Sequence, residues 1–144
     1  MTNLGYVHYY LGIEVTQHPK SIFLSQKKYI GYFLNRFGMT ECNPLTTPME
    51  QNLKLTSIEG KEFEDATKYR QLVGSLNYLT TTRPDISFVV GILSRFMQKP
   101  CEGHWSAAKR VLRYLKGTQD LGIKYTQVDE EEEEDISEAG GRHS

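Results

Sequence analysis

The sequence predicts an α+β fold that is mainly helical, with an N-terminal β-hairpin, about four amphipathic helices and a short C-terminal strand. Two periodic patterns support this prediction. Apolar residues alternate with other residues near the N-terminus, as in a half-buried strand, and recur at three- and four-residue spacing in later stretches, as in helices. A third observation is an acidic C-terminal run, which separates a domain of residues 1–126 from a tail of residues 127–144.

The N-terminal hairpin is predicted by two short runs with apolar residues at every second position. These residues are Leu11, Ile13 and Val15 in the first run, and Ile22 and Leu24 in the second. Residues 17–21 between the runs read as a turn. Because an isolated hairpin is unstable in water, we expect these strands to belong to a larger sheet.

The helices are predicted by apolar stripes and by the residues that bound them. Ser25 can cap the first helix, and Gly38 can end it in a left-handed conformation. Pro84 and Asp85 fit the first turn of the third helix, where a missing N–H has no effect and a carboxylate meets the positive end of the dipole. The predicted helices cover about residues 26–37, 69–79, 84–97 and 102–116, with a long connection at 39–65 and a last strand at 121–125.

Charge is distributed unevenly along the chain. Residues 1–126 contain 16 Lys and Arg against 10 Asp and Glu, so this domain is basic. Residues 127–144 contain eight acids, most of them in the run from Asp129 to Asp135. Such a run repels itself and is predicted to be disordered, whereas the basic domain suits a polyanionic partner.

Several classes of protein are disfavoured by composition. No apolar run approaches the roughly 18 residues of a membrane span, so no membrane partner is expected. Cys42 and Cys101 are too few for a secreted disulfide framework and favour a reducing, intracellular compartment over secretion. Cys101 and His104 have the spacing of a ligand pair, but the other Cys and His residues do not complete a zinc site. His104 is instead expected to start a helix and pack on a neighbour.

Basic residues lie along two predicted helices and admit two interpretations. Lys109, Arg113 and Lys116 follow i, i+4, i+7 spacing with Arg110 beside them, and the first helix carries Lys27, Lys28 and Arg36. Such faces can follow the phosphates of a nucleic acid, giving salt-dependent and sequence-independent affinity. The alternative is an ordinary solvated face, and the residues alone leave both open.

One block of sequence resembles a known family. The run YRQLVGSLNYL at residues 69–79, followed by TRPDI at 82–86, resembles the YRxLVGxLxYL…TRPDI block of copia-type retrotransposon reverse transcriptases. The resemblance covers about residues 4–125. Further matching segments, in the expected order, are LGIEV at 11–15, IFLSQKKY at 22–29, TPM at 47–49, SRFM at 94–97 and AAKRVLRYLKGT at 107–118.

The resemblance implies a partial reverse transcriptase domain over residues 1–126. The hairpin would be a stub of the palm, and the helices would be thumb and connection, which grip an RNA/DNA template–primer through its backbone and shape. Further expected partners are the fingers, palm and ribonuclease H portions of the Pol polyprotein. The implied nucleic-acid-binding residues are Leu11, Gly12, Lys27, Lys28, Lys109, Arg110, Arg113 and Lys116. Gly12 would allow close backbone approach within a strand, or mark a bulge.

The sequence also departs from the family in ways that affect activity. The family catalyses RNA-directed DNA polymerisation with Mg²⁺ held by paired Asp residues, but Asp65 and Asp85 are isolated. The catalytic Asp pair is expected before Leu4, and the ribonuclease H domain after Tyr125. We therefore expect a truncated fragment with no catalytic residues, no cofactor and no polymerase activity by itself. The alternatives are a non-catalytic nucleic-acid-binding or interaction module, and a shortened gene model.

Overall fold

A four-stranded antiparallel sheet forms from both ends of the domain. The computed structural model describes residues 6–10, 12–50 and 60–127. The strands are β1 (Tyr6–Tyr10), β2 (Ile13–His18), β3 (Ser21–Ser25) and β4 (Gly122–Thr126), arranged in the order β1-β2-β3-β4. The predicted α+β class is thereby confirmed. β1 was missing from the prediction, because the sequence YVHYY has aromatic residues on both faces and shows no alternation.

The register of the sheet explains two differences from the predicted hairpin. The β2–β3 ladder continues to the pair His18–Ser21, so only Pro19 and Lys20 form the turn, a two-residue connection of the kind that suits a hairpin. The predicted turn at 17–21 was therefore too long. β4 pairs with β3 from Ser25–Gly122 to Ser21–Thr126, which places the C-terminal strand beside the N-terminal hairpin.

Four α-helices follow the sheet in the sequence. They are α1 (Lys27–Arg36), α2 (Ala66–Leu79), α3 (Ser87–Leu93) and α4 (Glu102–Gly117). The helix predicted at 84–97 is divided, since 3₁₀ turns at Pro84–Ile86 and Ser94–Phe96 flank α3. The Ser94 hydroxyl donates to the Val90 carbonyl at 2.9 Å, a competing bond of the kind that disturbs a helix end.

The hydrophobic core of the described residues lies among the four helices. It is formed by buried residues from α1, α2, α3 and α4, together with Met39 after α1 and Ile86 in the turn before α3, and none of its residues comes from a strand. The Tyr69 hydroxyl within it donates to the Leu93 carbonyl at 2.7 Å, joining α2 to the end of α3. Burial raises the pKa of Tyr69. Buried core side chains include Ile30, Phe33, Leu72, Leu76, Leu79, Ile86, Leu93, Val111, Leu112 and Leu115.

Local signals at two helix ends match the predictions, whereas the predicted cap Ser25 is the last residue of β3, and α1 begins after Gln26 without a side-chain cap. Gly38 follows α1 with a φ of 70°, the left-handed conformation that was predicted there. His104 Nδ1 accepts the Cys101 backbone N–H at 2.9 Å, and its ring stacks on Phe96 with centroids 3.9 Å apart. The interpretation of His104 as a helix-start residue is thus confirmed. Asp65 caps α2 by accepting from the Lys68 N–H at 3.0 Å.

Two predictions concern residues that the structure does not describe. Leu11 is one of them, and the acidic tail is the other, except for Gln127, whose N–H donates to the Lys20 carbonyl at 2.7 Å. Within the described ranges, none of the helices combines the length and the apolar character needed to cross a bilayer.

Candidate nucleic-acid interface

The structure places the predicted contact residues in two regions. Lys109, Arg110, Arg113 and Lys116 lie along α4. Gly12, Lys27 and Lys28 lie where the sheet meets α1. The predicted contact residues therefore form two groups, one on α4 and one at the junction of the sheet with α1.

The basic side of α4 is partly covered by the chain that follows α1. We call residues 39–50 the strap, because this segment runs along α4 and hydrogen-bonds to it. The Leu45 N–H of the strap donates to the Arg113 carbonyl at 3.2 Å, and three further bonds pair a cation of α4 with an uncharged oxygen of the strap. The pairs are Arg110 with the Thr47 hydroxyl (2.8 Å), Arg113 with the Asn43 carbonyl (2.9 Å) and Lys116 with the Thr40 carbonyl. The prediction that residues 39–65 form a long connection, lying over the body, is confirmed for the strap.

These contacts hold the cations without neutralising them. The two ion pairs among the described residues are Lys27 with Asp120 and Arg83 with Asp85, each at 2.8 Å. The α4 cations take part in neither. Because neutral oxygens fix the direction of a guanidinium but leave its charge, this side of α4 presents an ordered positive field.

A groove lies between the strap and α4. Its volume is about 540 Å³, and it is lined by Lys109, Arg110 and Arg113 on the helix and by Leu45 and Glu50 on the strap. Three cations thus face a single carboxylate. The Nε atom of Arg110 is buried and has no hydrogen-bond partner, which leaves one donor of this guanidinium unsatisfied.

The second region is less available to a ligand. Lys27 donates to Asp120, and this hydrogen bond, with the charge of the same carboxylate, raises the pKa of Lys27. Both side chains are largely exposed, so the pair contributes little to stability. Lys28 lies over the ring of Tyr9, with its Nζ 5.0 Å from the ring centroid, a cation–π contact.

Gly12 serves the fold in a way that the sequence did not show. It lies in the turn between β1 and β2 with a φ of 83°, so the prediction that it lies within a strand was wrong. A Cβ atom at this position would collide with the hydroxyl of Tyr78 on α2. Glycine is therefore favoured by the left-handed turn, independently of any ligand, and a Cβ would in addition require the Tyr78 side chain to shift.

A tyrosine cluster next to Gly12 was also missed. The Tyr29 ring meets Tyr78 edge-on at 4.6 Å and lies parallel to the Tyr32 ring at 6.2 Å. Burial raises the pKa of Tyr29. The high tyrosine content, nine residues, was the available signal. Within the cluster, Tyr29 and Tyr32 lie on α1 and Tyr78 lies on α2, so sequence spacing could not bring Tyr78 to them.

The TRPDI block has a structural role, since it joins the start of α3 to α4. Arg83, which is 1% exposed, donates to both carboxylate oxygens of Asp85 and to the carbonyl and hydroxyl oxygens of Thr118. The Tyr114 hydroxyl donates to Asp85 at 2.5 Å. Burial alone would raise the pKa of Asp85, but the bonds from Arg83 and Tyr114 outweigh it and hold that pKa below its ordinary value. Arg83 and Tyr114 therefore tie the start of α3 to α4.

The described residues show no arrangement suited to a metal. No group of three or more His, Cys, Asp or Glu side chains converges within them. Asp65 caps α2, while Asp85 and Asp120 are ion-paired. The Mg²⁺ that the family resemblance implies has no fitting ligand set in this part of the chain, and we assign no catalytic step to it.

Comparisons with known proteins agree with the sequence motifs. Residues 1–51 match the family model of reverse transcriptase (RNA-dependent DNA polymerase). The Retrovirus-related Pol polyprotein from transposon RE2 of Arabidopsis thaliana is 49% identical over 117 residues, which are 81% of this chain and 8% of that protein. The corresponding polyprotein from transposon TNT 1-94 of Nicotiana tabacum is 41% identical over 127 residues, 82% of this chain and 10% of that protein.

A shorter relative matches over the same region. An uncharacterized mitochondrial protein of Arabidopsis thaliana is 46% identical over 123 residues, covering 85% of this chain and 51% of that protein. No solved structure matches the chain significantly. The chain thus spans about half of this relative, and about a tenth or less of the polyproteins. From the family model and the polyprotein matches together, this chain belongs to the copia-type reverse transcriptases and corresponds to a segment of a retrotransposon Pol polyprotein.

Proposed function

We propose that this segment binds the sugar–phosphate backbone of an RNA/DNA template–primer and contributes no catalytic group to polymerisation. In the parent polyprotein it would hold the duplex while the portions with paired Asp residues carry out RNA-directed DNA synthesis. The 144-residue chain, by itself, would bind nucleic acid without extending a primer. This proposal combines the family assignment with the charge arrangement on α4.

The observation that carries the proposal is the ordered positive charge beside the strap. Arg110 and Arg113 are fixed by neutral oxygens of Thr47 and Asn43, and Lys109 on the same groove is exposed. A side chain that is already oriented loses less conformational entropy when it meets a phosphate than a mobile one does. Because neither arginine is paired with a carboxylate, its full positive charge can attract that phosphate.

The same contacts favour backbone recognition over base recognition. Arg113 and Lys116 each use a donor on the strap, so α4 is not a bare helix that could enter a groove of the duplex. Contacts from such a covered helix to phosphates carry no sequence information. We therefore expect the affinity to depend steeply on salt and weakly on sequence.

The test is filter binding of an RNA–DNA hybrid across a series of salt concentrations. The variant Lys109→Gln/Arg110→Gln should lower the affinity and reduce the slope of log K against log salt by about one per phosphate contact removed. Lys99→Gln/Arg95→Gln is the matched control, since it removes two exposed cations that lie outside the groove. The control should behave like the unmodified chain.

Two binding results and one activity result would contradict the proposal. One is an absence of binding to the hybrid at low salt, even after residues 128–144 are removed. The other is equal loss of affinity in the groove variant and in its control, which would show that net charge alone is responsible. Primer extension with Mg²⁺ by the purified chain would contradict the second part of the proposal.

A further inference from the structure

The groove beside the strap has the properties of a site for carboxylates as well as phosphates. Its cations Lys109, Arg110 and Arg113 are accompanied by a single acid, Glu50. Arg110 and Arg113 each use one N–H donor on the strap, and each guanidinium carries five. The planar fork of arginine fits a carboxylate with two parallel hydrogen bonds. The site therefore suits a polyanion whose charges repeat along a chain.

The same chain carries such a polyanion. Residues Asp129 to Asp135 are seven consecutive acids, and Glu138 follows them. The run has the opposite charge to the basic residues of α4, which are Lys109, Arg110, Arg113 and Lys116. The charge is thus complementary in sign, and the acids outnumber the cations that they would meet.

The length of the chain allows the acidic run to reach α4. From Arg113 to Gly117 the helix rises about 6 Å, and residues 118–127 extend at most about 35 Å. The tail therefore starts within about 40 Å of Arg113, by the sum of these limits. The eleven residues from 128 to 138 extend about 36 Å, so Glu138, at the end of the segment, reaches Arg113 even at this greatest separation. At shorter separations the carboxylates of the preceding run reach α4 as well.

We propose that the acidic segment Asp129–Glu138 binds the groove between the strap and α4 of its own chain, and thereby competes with nucleic acid. This inference rests on the proposed function, because it regulates the same site. The carboxylates of the segment take the places of backbone phosphates on Lys109, Arg110 and Arg113. High salt weakens both interactions, and a long duplex displaces the segment by making more contacts.

Attachment to the same chain makes this contact effective even though each ion pair is weak. A surface ion pair contributes at most about 1 kcal/mol, so a separate acidic peptide would bind poorly. A segment that is joined to the domain by a short linker acts at an effective concentration in the millimolar range. The attached segment therefore occupies the groove in a larger fraction of molecules than a separate peptide of the same sequence would.

The first measurement tests the contact directly and does not require nucleic acid. A water-soluble carbodiimide joins lysine amines to carboxylates that touch them, and peptide mapping identifies the linked residues. We expect links from Lys109 or Lys116 to residues 129–138 in the monomeric, full-length chain. Links that go mainly to Lys99 or Lys27, or that occur only in covalent dimers, would overturn the proposal.

The second measurement tests the consequence for binding. The chain ending at Gln127, and the full chain with Glu130 to Glu134 replaced by Gln, should bind an RNA–DNA hybrid about tenfold more tightly than the unmodified chain at low salt. The difference should vanish when Lys109 and Arg110 are both replaced by Gln. An unchanged affinity after removal of the tail would overturn the regulation.

The two measurements separate the two proposals. If the chain ending at Gln127 does not bind the hybrid, the proposed function fails, and the cross-links still decide whether the segment occupies the groove. If that chain binds and the cross-links are absent, the proposed function stands and the docking of the segment is wrong.

Discussion

Arg83 reaches across the domain to Thr118, donating to its carbonyl oxygen at 2.9 Å and to its hydroxyl at 2.7 Å. The same guanidinium forms two hydrogen bonds with Asp85 and lies 5.6 Å from the centroid of the Tyr114 ring. One buried cation thus links the chain before α3 to the end of α4. Its removal leaves several acceptors without a donor.

We expect Arg83→Ala to lower the free energy of unfolding by about 1–3 kcal/mol, since Thr118 and the partly exposed Asp85 both lose the hydrogen bonds that the buried guanidinium donates. Arg83→Lys should recover only part of this, because an ammonium cannot serve both Asp85 and Thr118 in the same plane. Urea unfolding followed by circular dichroism measures both. The exposed Arg95→Ala is the control, and an equal effect of Arg83→Ala and Arg95→Ala would contradict the structural role.

Gly12 and Gly38 allow backbone strain to be separated from collision. Both have positive φ, but a Cβ at Gly12 meets the Tyr78 hydroxyl, whereas one at Gly38 meets nothing within 4 Å. Gly38→Ala should therefore cost about 1–2 kcal/mol from the left-handed conformation alone, and Gly12→Ala should cost more. Thermal unfolding gives the two values.

The additional cost at Gly12 should depend on the Tyr78 hydroxyl. Adding Tyr78→Phe to Gly12→Ala removes the atom that a Cβ would meet, so the double variant should recover part of the loss. Equal stability of Gly12→Ala and Gly38→Ala would show that Tyr78 does not constrain the turn.

Acid should weaken the contact between α3 and α4 through Asp85. Its pKa in the folded chain is lower than in the unfolded chain, where it is about 3.9, so the folded state binds fewer protons. The stabilisation is then fully present above about pH 4 and is lost as the pH falls through the folded pKa. Urea midpoints measured between pH 7 and pH 2 should show this loss.

Two variants test the assignment to Asp85. Asp85→Asn should be less stable at neutral pH, and its midpoint should change less on acidification than that of the unmodified chain. Tyr114→Phe removes one of the bonds to the carboxylate and should move the acid transition toward higher pH. An acid transition that is identical in Asp85→Asn would assign the pH dependence to other groups.

The Thr82 hydroxyl donates to Gln26 Oε1 at 2.6 Å, in a buried contact between the end of α2 and the start of α1. Gln26 Nε2 is buried and has no partner within the described structure. Thr82→Val keeps the shape but removes the donor, leaving the amide less satisfied, at a cost of about 1–3 kcal/mol.

A double-mutant cycle with Gln26→Met separates the hydrogen bond from packing. If the Thr82–Gln26 bond stabilises the fold, the two single changes should be non-additive, and the double variant should be more stable than their sum predicts. Strict additivity in chemical unfolding would show that the contact contributes nothing.

The sequence predicted the helical elements well because their signals are local. The apolar stripes that mark α1, α2 and α4 depend on neighbours three and four residues apart, and Gly38 marks a helix end within the same window. β1 could not be found in this way, since its aromatic residues follow no period. The pairing of β4 with β3 joins residues about a hundred positions apart, for which spacing carries no information.

The candidate site was predicted by residue type and only partly by geometry. The basic residues of α4 were identified, but their bonds to Thr40, Asn43 and Thr47 of the strap depend on a loop without periodicity. Gly12 was identified as special for its small size, while the reason, the approach of Tyr78, involves another element. Arg83 was identified only as part of the TRPDI block, because its bonds to Thr118 join residues 35 positions apart and spacing does not reveal them.

The position of β4 at the edge of β3 also affects how the chain folds during synthesis. β3 leaves the ribosome about a hundred residues before β4, the strand that pairs with its edge. At about 5–20 residues per second, translation of the intervening hundred or so residues takes roughly 5–20 seconds. For that interval the nascent chain carries an uncovered strand edge, which is where a chaperone, or a neighbouring nascent chain, would first attach.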